Sequence, residues 1–338
     1  MKCKWLTLLA SLGAVVLLSS SIGVTRSSFV DLETSSGNTF QAWASTQWKQ
    51  TSRTDFEAGV LNNVDTSSSP GDVKLSTNTT TFGSSFSQYQ GPIWYNTVYV
   101  QETNPTSTYP ANYIVPYNGE VISWSYNNWS ENRYTSNVRL EFLTGSRTTW
   151  TMRVKSAPVT IGPGTNTFNN VSIPVSAGWH MGLYTGSSPN NLAYSVDWGG
   201  TVQRRAQNSG DFNVDATRTD FGSRQARFPI TVTLRYFSSS GTIASQVLDT
   251  GIAGDRWDAL FWDRTLQSGT NITFEVRASN TSFAKDTPPG TLPWISVGGT
   301  SPVTSGLPSG RYMQWRATLT TSDTSKTPTL QEVRVYHY

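Results

Sequence analysis

Apolar and polar residues alternate with a period of two along most of this chain from Thr81 to its C-terminus. Val138, Leu140 and Phe142 share one side of a segment that puts Arg139 and Glu141 on the other, and Trp150, Met152 and Val154 oppose Thr151, Arg153 and Lys155. Ile230, Val232 and Leu234 repeat the pattern before residue 237. Successive side chains of a strand point to opposite faces, so this spacing predicts strands with one buried face. Gly162-Pro163-Gly164 and Ser187-Ser188-Pro189-Asn190 interrupt the runs with turn chemistry. Seven or eight such strands in residues 81–237 predict a first antiparallel β-sandwich.

The last hundred residues use the same period with other residues: Leu260 and Trp262; Ile272, Phe274, Val276 and Ala278; Met313, Trp315, Ala317 and Leu319; Val333 and Val335. They predict a second sandwich over 238–338. The fold class expected is therefore all-β, two antiparallel, jelly-roll-like sandwiches. Upstream, residues 29–70 are polar and rich in breakers such as Ser67-Ser68-Ser69-Pro70-Gly71 and are expected to be a linker or donor segment. Residues 72–76 carry one short alternation, Val73-Lys74-Leu75. If that strand pairs with the second sandwich, the first is inserted into it; if with the first, the two are in tandem.

Composition agrees with strands joined by polar turns: 14% of residues are charged and 12% aromatic. The formal charge of +3 comes from the first 28 residues, where Lys2, Lys4 and Arg26 stand without an acid; the remainder balances 22 basic against 22 acidic residues. Such a chain has no electrostatic footprint for nucleic acid. Residues 1–28 read as a signal peptide, with Lys2 and Lys4 before an apolar run from Trp5 to about Val24. A membrane is expected to meet this protein only through an uncleaved leader. The single cysteine, Cys3, lies in the leader, which excludes a disulfide scaffold and a thiol nucleophile from the rest.

The segment Ser27 to Phe40, with Phe29, Asp31, Glu33, Ser36, Asn38, Thr39 and Phe40, resembles the leader region of the TasA and camelysin group of biofilm matrix proteins. That resemblance implies processing by a SipW-type signal peptidase between Ser28 and Phe29, and a secreted or cell-surface location. At Ala42-Trp43 the sequence departs from the group's pattern. Further on, Val247-Leu248-Asp249-Thr250-Gly251, Phe274-Glu275-Val276-Arg277, Gly310 to Leu319 and Val333 to Tyr336 resemble galactose-binding-like jelly-roll modules over roughly residues 240–338.

Catalytic chemistry finds few starting points. His180 and His337 are the two histidines. His180 is expected to face solvent, opposite Met181 and Leu183, and His337 to pack or fray at the terminus. Asp255, Asp258 and Asp263 surround Trp257 and Trp262 but sit in no glycosidase phrase. Asp211, Asn213 and Asp215 place oxygen ligands at alternate positions as calcium loops do, although Ala216 and Gly222 stand where that pattern needs Gly and Glu. No cofactor is expected beyond a structural calcium there.

Binding chemistry rests on tryptophans that escape the strand alternation: Trp129 in Asn127-Asn128-Trp129-Ser130, Trp198 beside Gly199-Gly200, and Trp294 after Pro288-Pro289-Gly290. Sugar rings stack their C–H faces on such rings. Five Asn-x-Ser/Thr sequons occur, at Asn78, Asn128, Asn170, Asn271 and Asn280. The sequence points to a non-enzymatic exported protein of the cell surface or extracellular matrix, for adhesion or assembly, whose partner is itself, as a homo-oligomer or fibre, or a surface polysaccharide. A carbohydrate-binding module is the alternative, and a glycoside-active enzyme a distant third.

Overall fold

The computed structural model describes residues 46–68, 71–85, 95–103, 112–129, 134–186, 192–194, 202–207, 210–225 and 227–338. Strands dominate them and all pair antiparallel. In chain order the first are β1 (Thr46–Gln50), β2 (Val60–Asn62), β3 (Val64–Asp65) and β4 (Lys74–Leu75). Then follow β5 (Thr77–Gly83), β6 (Val98–Thr103), β7 (Gly119–Asn128), β8 (Thr135–Ser146), β9 (Thr149–Lys155), β10 (Val159–Ile161), β11 (Gly164–Val175), β12 (His180–Tyr184), β13 (Val202–Gln207), β14 (Thr217–Arg218), β15 (Gly222–Gln225) and β16 (Ile230–Phe237). The chain ends with β17 (Ser240–Ala244), β18 (Leu248–Asp249), β19 (Trp257–Thr265), β20 (Thr270–Ser279), β21 (Ile295–Gly298), β22 (Tyr312–Thr321) and β23 (Thr329–His337).

Strands β5 to β16 form one sandwich. A four-stranded sheet, β11-β7-β16-β5, faces an eight-stranded sheet ordered β14-β9-β8-β12-β6-β13-β15, with β10 also on β8. The alternating apolar residues meet between them: Val121, Trp124 and Tyr126 of β7 and Val232 and Leu234 of β16 pack with Leu140 and Phe142 of β8 and Met181 and Leu183 of β12.

The remaining strands form the second sandwich, with a three-stranded sheet, β1-β23-β19, and a six-stranded one built around β17-β22-β20. Its core joins Trp257, Leu260 and Trp262 to Phe274, Trp315 and Leu319. Residues 46–68 are not a linker here. Strand β1 pairs with β23 in register from Thr46↔His337 to Gln50↔Val333, and β2 pairs with β17. The helical turn Arg53–Glu57 between them starts in a capping box, Ser52 with Asp55, and drives Phe56 edge-on against Trp315. The Trp315 indole donates to the buried Gln50 side chain at 2.7 Å. Val73 and Leu75 belong to the same core, and Val73 bridges Leu330. The first sandwich is thus inserted between the two parts of the second. Residues 46–68, part of the expected donor segment, are engaged within this chain by β1–β23 and β2–β17 pairing.

Entry and exit of the insertion lie side by side, with Thr77 opposite Phe237. The junction is held by a turn of the second sandwich: Phe237 N–H donates to Thr324 O at 2.8 Å, Asn118 Nδ2 donates to the Asp323 carboxylate at 3.0 Å, and Thr324 Oγ1 donates to Asn118 O at 2.7 Å.

The outer face of the eight-stranded sheet departs from the alternation argument. Val98, Val100, Leu143, Trp150, Met152 and Tyr184 form a second apolar layer there, closed by Phe212 and Phe221 of a strap running from Gly210 to Phe221. His180 therefore does not face solvent. It is half-buried, stands edge-on to Trp150 at 5.0 Å, and burial lowers its pKa. Glu141, expected on a polar face, is fully buried.

Candidate functional site

Chain crossovers from one sheet to the other gather at one end of the inserted sandwich. The β7–β8 connection leaves from Asn128, and the β10–β11 connection passes through Gly162-Pro163-Gly164, where Gly164 pairs with Asn128. Asn128 is buried and fixes both connections: its Nδ2 donates to Gly162 O at 3.1 Å, and its Oδ1 accepts from Ala193 N–H at 2.9 Å. Asn166 Nδ2 donates to the carbonyls of Gly162 and Gly164 at 2.9 and 3.0 Å. A crossover needs its backbone polar groups satisfied, and amide side chains with two donors and an acceptor do so locally.

Two aromatic rings remain outside this network. Trp129, just past β7, is 52% exposed and Tyr134, just before β8, is 67% exposed. Tyr134 lies over the Cα of Gly162, where a Cβ would come within 2.5 Å of its ring. Any side chain at position 162 would displace the tyrosine. The two rings are separated by four residues in sequence, and Asn166 bonds the same Gly162 that Tyr134 covers. Sequence reasoning singled out Trp129 but passed over Tyr134, whose signal is its place at the end of a strand run facing a glycine turn.

The other expected site residues are placed differently. Trp294 is half-buried, and two cations cover it: the guanidinium of Arg277 stands 4.2 Å from the ring centroid and that of Arg316 4.6 Å. Its π-surface is used within the protein. Arg277, itself buried, ties the following loop through the carbonyls of Thr287 at 2.7 Å and Lys285 at 3.3 Å and through Gln314 at 2.6 Å. Trp198 lies outside the described residues, as do Ser28 and Phe29.

Asp211 is engaged by cations instead of offering itself to one. Its Oδ2 accepts from Arg139 at 2.8 Å and from Lys155 at 2.9 Å. Asn213 and Asp215 are exposed on the same strap, and Asp215 takes a left-handed φ of 64° beside Arg153. Among the described residues, no three or more His, Cys, Asp or Glu gather to hold a metal. Neither Glu141 oxygen meets an N–H or O–H donor, nor does Oδ1 of Asp211. A hydrogen bond between these two carboxyls therefore needs a proton on one of them. Burial and then the neighbouring Asp211 charge raise the Glu141 pKa well above the usual glutamate value. Glu141 is fully buried, while Asp211, Arg139 and Lys155 around it stay partly exposed.

In the second sandwich, Asp255 is buried and accepts from, or pairs with, His337 Nδ1 at 2.9 Å, so the penultimate residue is packed. Asp258 and Asp263 are exposed, and Asp263 pairs with Arg334.

No protein-family model matches the chain, and no curated protein matches it. Among solved structures, it is similar to a crystal structure of a putative secreted protein from Parabacteroides distasonis ATCC 8503, with 10% identity over 87% of this chain and 99% of that one, at a TM-score of 0.25. No helix of the described residues is long and apolar enough to cross a membrane.

Proposed function

We propose that this is an exported, non-catalytic protein of the cell surface or extracellular matrix that adheres by holding carbohydrate at the crossover end of its inserted sandwich. The observation that carries the reading is the exposed pair of rings, Trp129 and Tyr134, at the crossover end of the sandwich. Trp124, Trp150, Trp257, Trp262 and Trp315 are all buried in cores, and Trp294 is covered by arginines. Large aromatic surface left in water next to amide side chains suits the apolar C–H face and the hydroxyl rim of a sugar. The leader resemblance, whose residues lie outside the described ones, supports the export route.

The test is binding of the full chain to an array of immobilised glycans. Trp129→Ala and Tyr134→Ala each lower the affinity for the bound glycan about tenfold, equivalent to about 1.4 kcal/mol, with thermal stability unchanged. A double variant that binds like the wild type overturns the reading.

A further inference from the structure

Four adjacent strands of the inserted sandwich carry hydroxyl side chains in register on the outward face of their sheet. Thr167, Ser125 and Thr231 form one row across β11, β7 and β16; Asn169, Ser123, Thr233 and Thr81 form the next across all four strands. Ser125 Oγ and Thr231 Oγ1 are within 2.5 Å. Thr77, Thr79 and Thr81 of the edge strand β5 and Thr165, Thr167 and Asn169 of the opposite edge are exposed. In the row beyond, Glu120 and Arg235 pair with each other and Ser172 donates to Glu120.

The face is not flat. Register shifts between Asn169 and Ile173 of β11, and at Ile122 of β7 between the partners of Thr233 and Leu234, push extra residues out of the ladder, with Asn170 in a left-handed conformation at φ 56°. They open a depression of about 520 Å³ whose polar wall is Glu120, Arg235, Ser123 and Asn169 and whose apolar patch is Ile122 and Val171. That volume lies in the range of small-ligand sites.

We propose that this face is a second carbohydrate-binding surface, the depression receiving one sugar unit of an extended, neutral polysaccharide whose neighbouring part is held at Trp129. The proposal rests on the carbohydrate reading of the crossover end. Charge selects the ligand: Glu120 and Arg235 are the charged side chains among the outward positions of these strands, and they neutralise each other. An anionic polymer finds no excess of positive charge here, whereas hydroxyls meet donors and acceptors in every row. Continuity sets the length. Strand β7 runs from the depression at Ser123 to Trp129, six residues or about 20 Å at about 3.3 Å per residue, so one ligand reaches both only as a chain of several units.

The experiment titrates the full chain with neutral oligosaccharides of glucose, galactose, mannose and N-acetylglucosamine, from disaccharide to octasaccharide. For the sugar that binds, the octasaccharide binds at least tenfold more tightly than the disaccharide. Replacing the exposed pair Arg235→Ala and Asn169→Ala removes that gain and leaves disaccharide affinity and melting temperature as in the wild type. Affinity that is flat with chain length, or a gain that survives the double variant, overturns the proposal while leaving the crossover reading intact. Binding lost in the double variant but indifferent to Trp129→Ala supports the face and sinks the crossover reading. Wild-type shaping of ice crystals, abolished by the double variant without any gain in glycan affinity, reassigns the face to ordered water and overturns the proposal.

Discussion

The inserted sandwich has two outer faces built from strands of similar alternating pattern, and they end in opposite environments. On the four-stranded sheet most outward positions are Thr, Ser and Asn, joined by the mutually paired Glu120 and Arg235, and the edge strands stay in water. On the eight-stranded sheet the outward positions include Leu143, Trp150, Met152 and Glu141, and a strap of twelve residues from Gly210 to Phe221 closes over them. One face is therefore free to meet a ligand; the other has become a second core. The same strap buries the Glu141 carboxyl and brings Asp211 beside it, where Asp211 pairs with Arg139 and Lys155. Burying ionisable groups is costly unless they are paired or neutralised, and this cluster does both.

The largest effect that separates the two faces is expected from their packing. Trp150→Ala empties a site with no exposed surface and destabilises the fold by about 3–5 kcal/mol, whereas Thr233→Ala on the bare face costs about 1 kcal/mol or less. Chemical denaturation of both variants checks this, and equal losses would break the contrast. Next in size is Asp211→Asn, which leaves the cations Arg139 and Lys155 short of a counter-charge and costs about 1–3 kcal/mol, read as a lower denaturation midpoint at pH 7.

A smaller effect appears as pH dependence. Glu141 has a pKa raised by burial and by Asp211, so its contribution to stability is complete below the ordinary glutamate value of 4.5 and is lost as pH rises through the folded-state value. Melting temperature should fall on the alkaline side in the wild type and fall less steeply in Glu141→Gln. Asp323 at the junction has the opposite sign. Burial pushes its pKa up, but hydrogen bonds from Lys326, Ser325 and Asn118 outweigh that and hold it below the usual aspartate value of 3.8. Its contribution is present above that value and is lost as pH falls; Asn118→Ala should flatten the acid limb of the same curve. The smallest effect is at the crossover: Trp129→Ala changes stability by no more than about 0.5 kcal/mol, although it weakens glycan binding about tenfold.

Much of the architecture was legible in the residues. Strand runs such as Val138 to Phe142 and Ile272 to Ala278 form strands, because their buried face repeats every second residue. The polar stretch from Thr46 to Asp65 was read as linker because its apolar residues are sparse, yet Trp48, Phe56 and Leu61 are enough to seat it on a core completed nearly 300 residues later. Of the three tryptophans set apart by sequence, Trp129 stands exposed, while the arginines over Trp294 come from β20 and β22, strands that share no local pattern with it. Tyr134 was missed because exposure next to Gly162 is a relation between two connections, invisible along either.

What the sequence by itself determined is the class of structure and the side of each strand that seeks a core, since both follow from short-range periodicity and turn chemistry. Which outward face is covered, which aromatic ring remains in water, and which carboxyl has its pKa raised were decided by tertiary structure alone. Those outcomes depend on segments far apart in the chain arriving at one place, and the free energy of burying a group is set by all of its neighbours together.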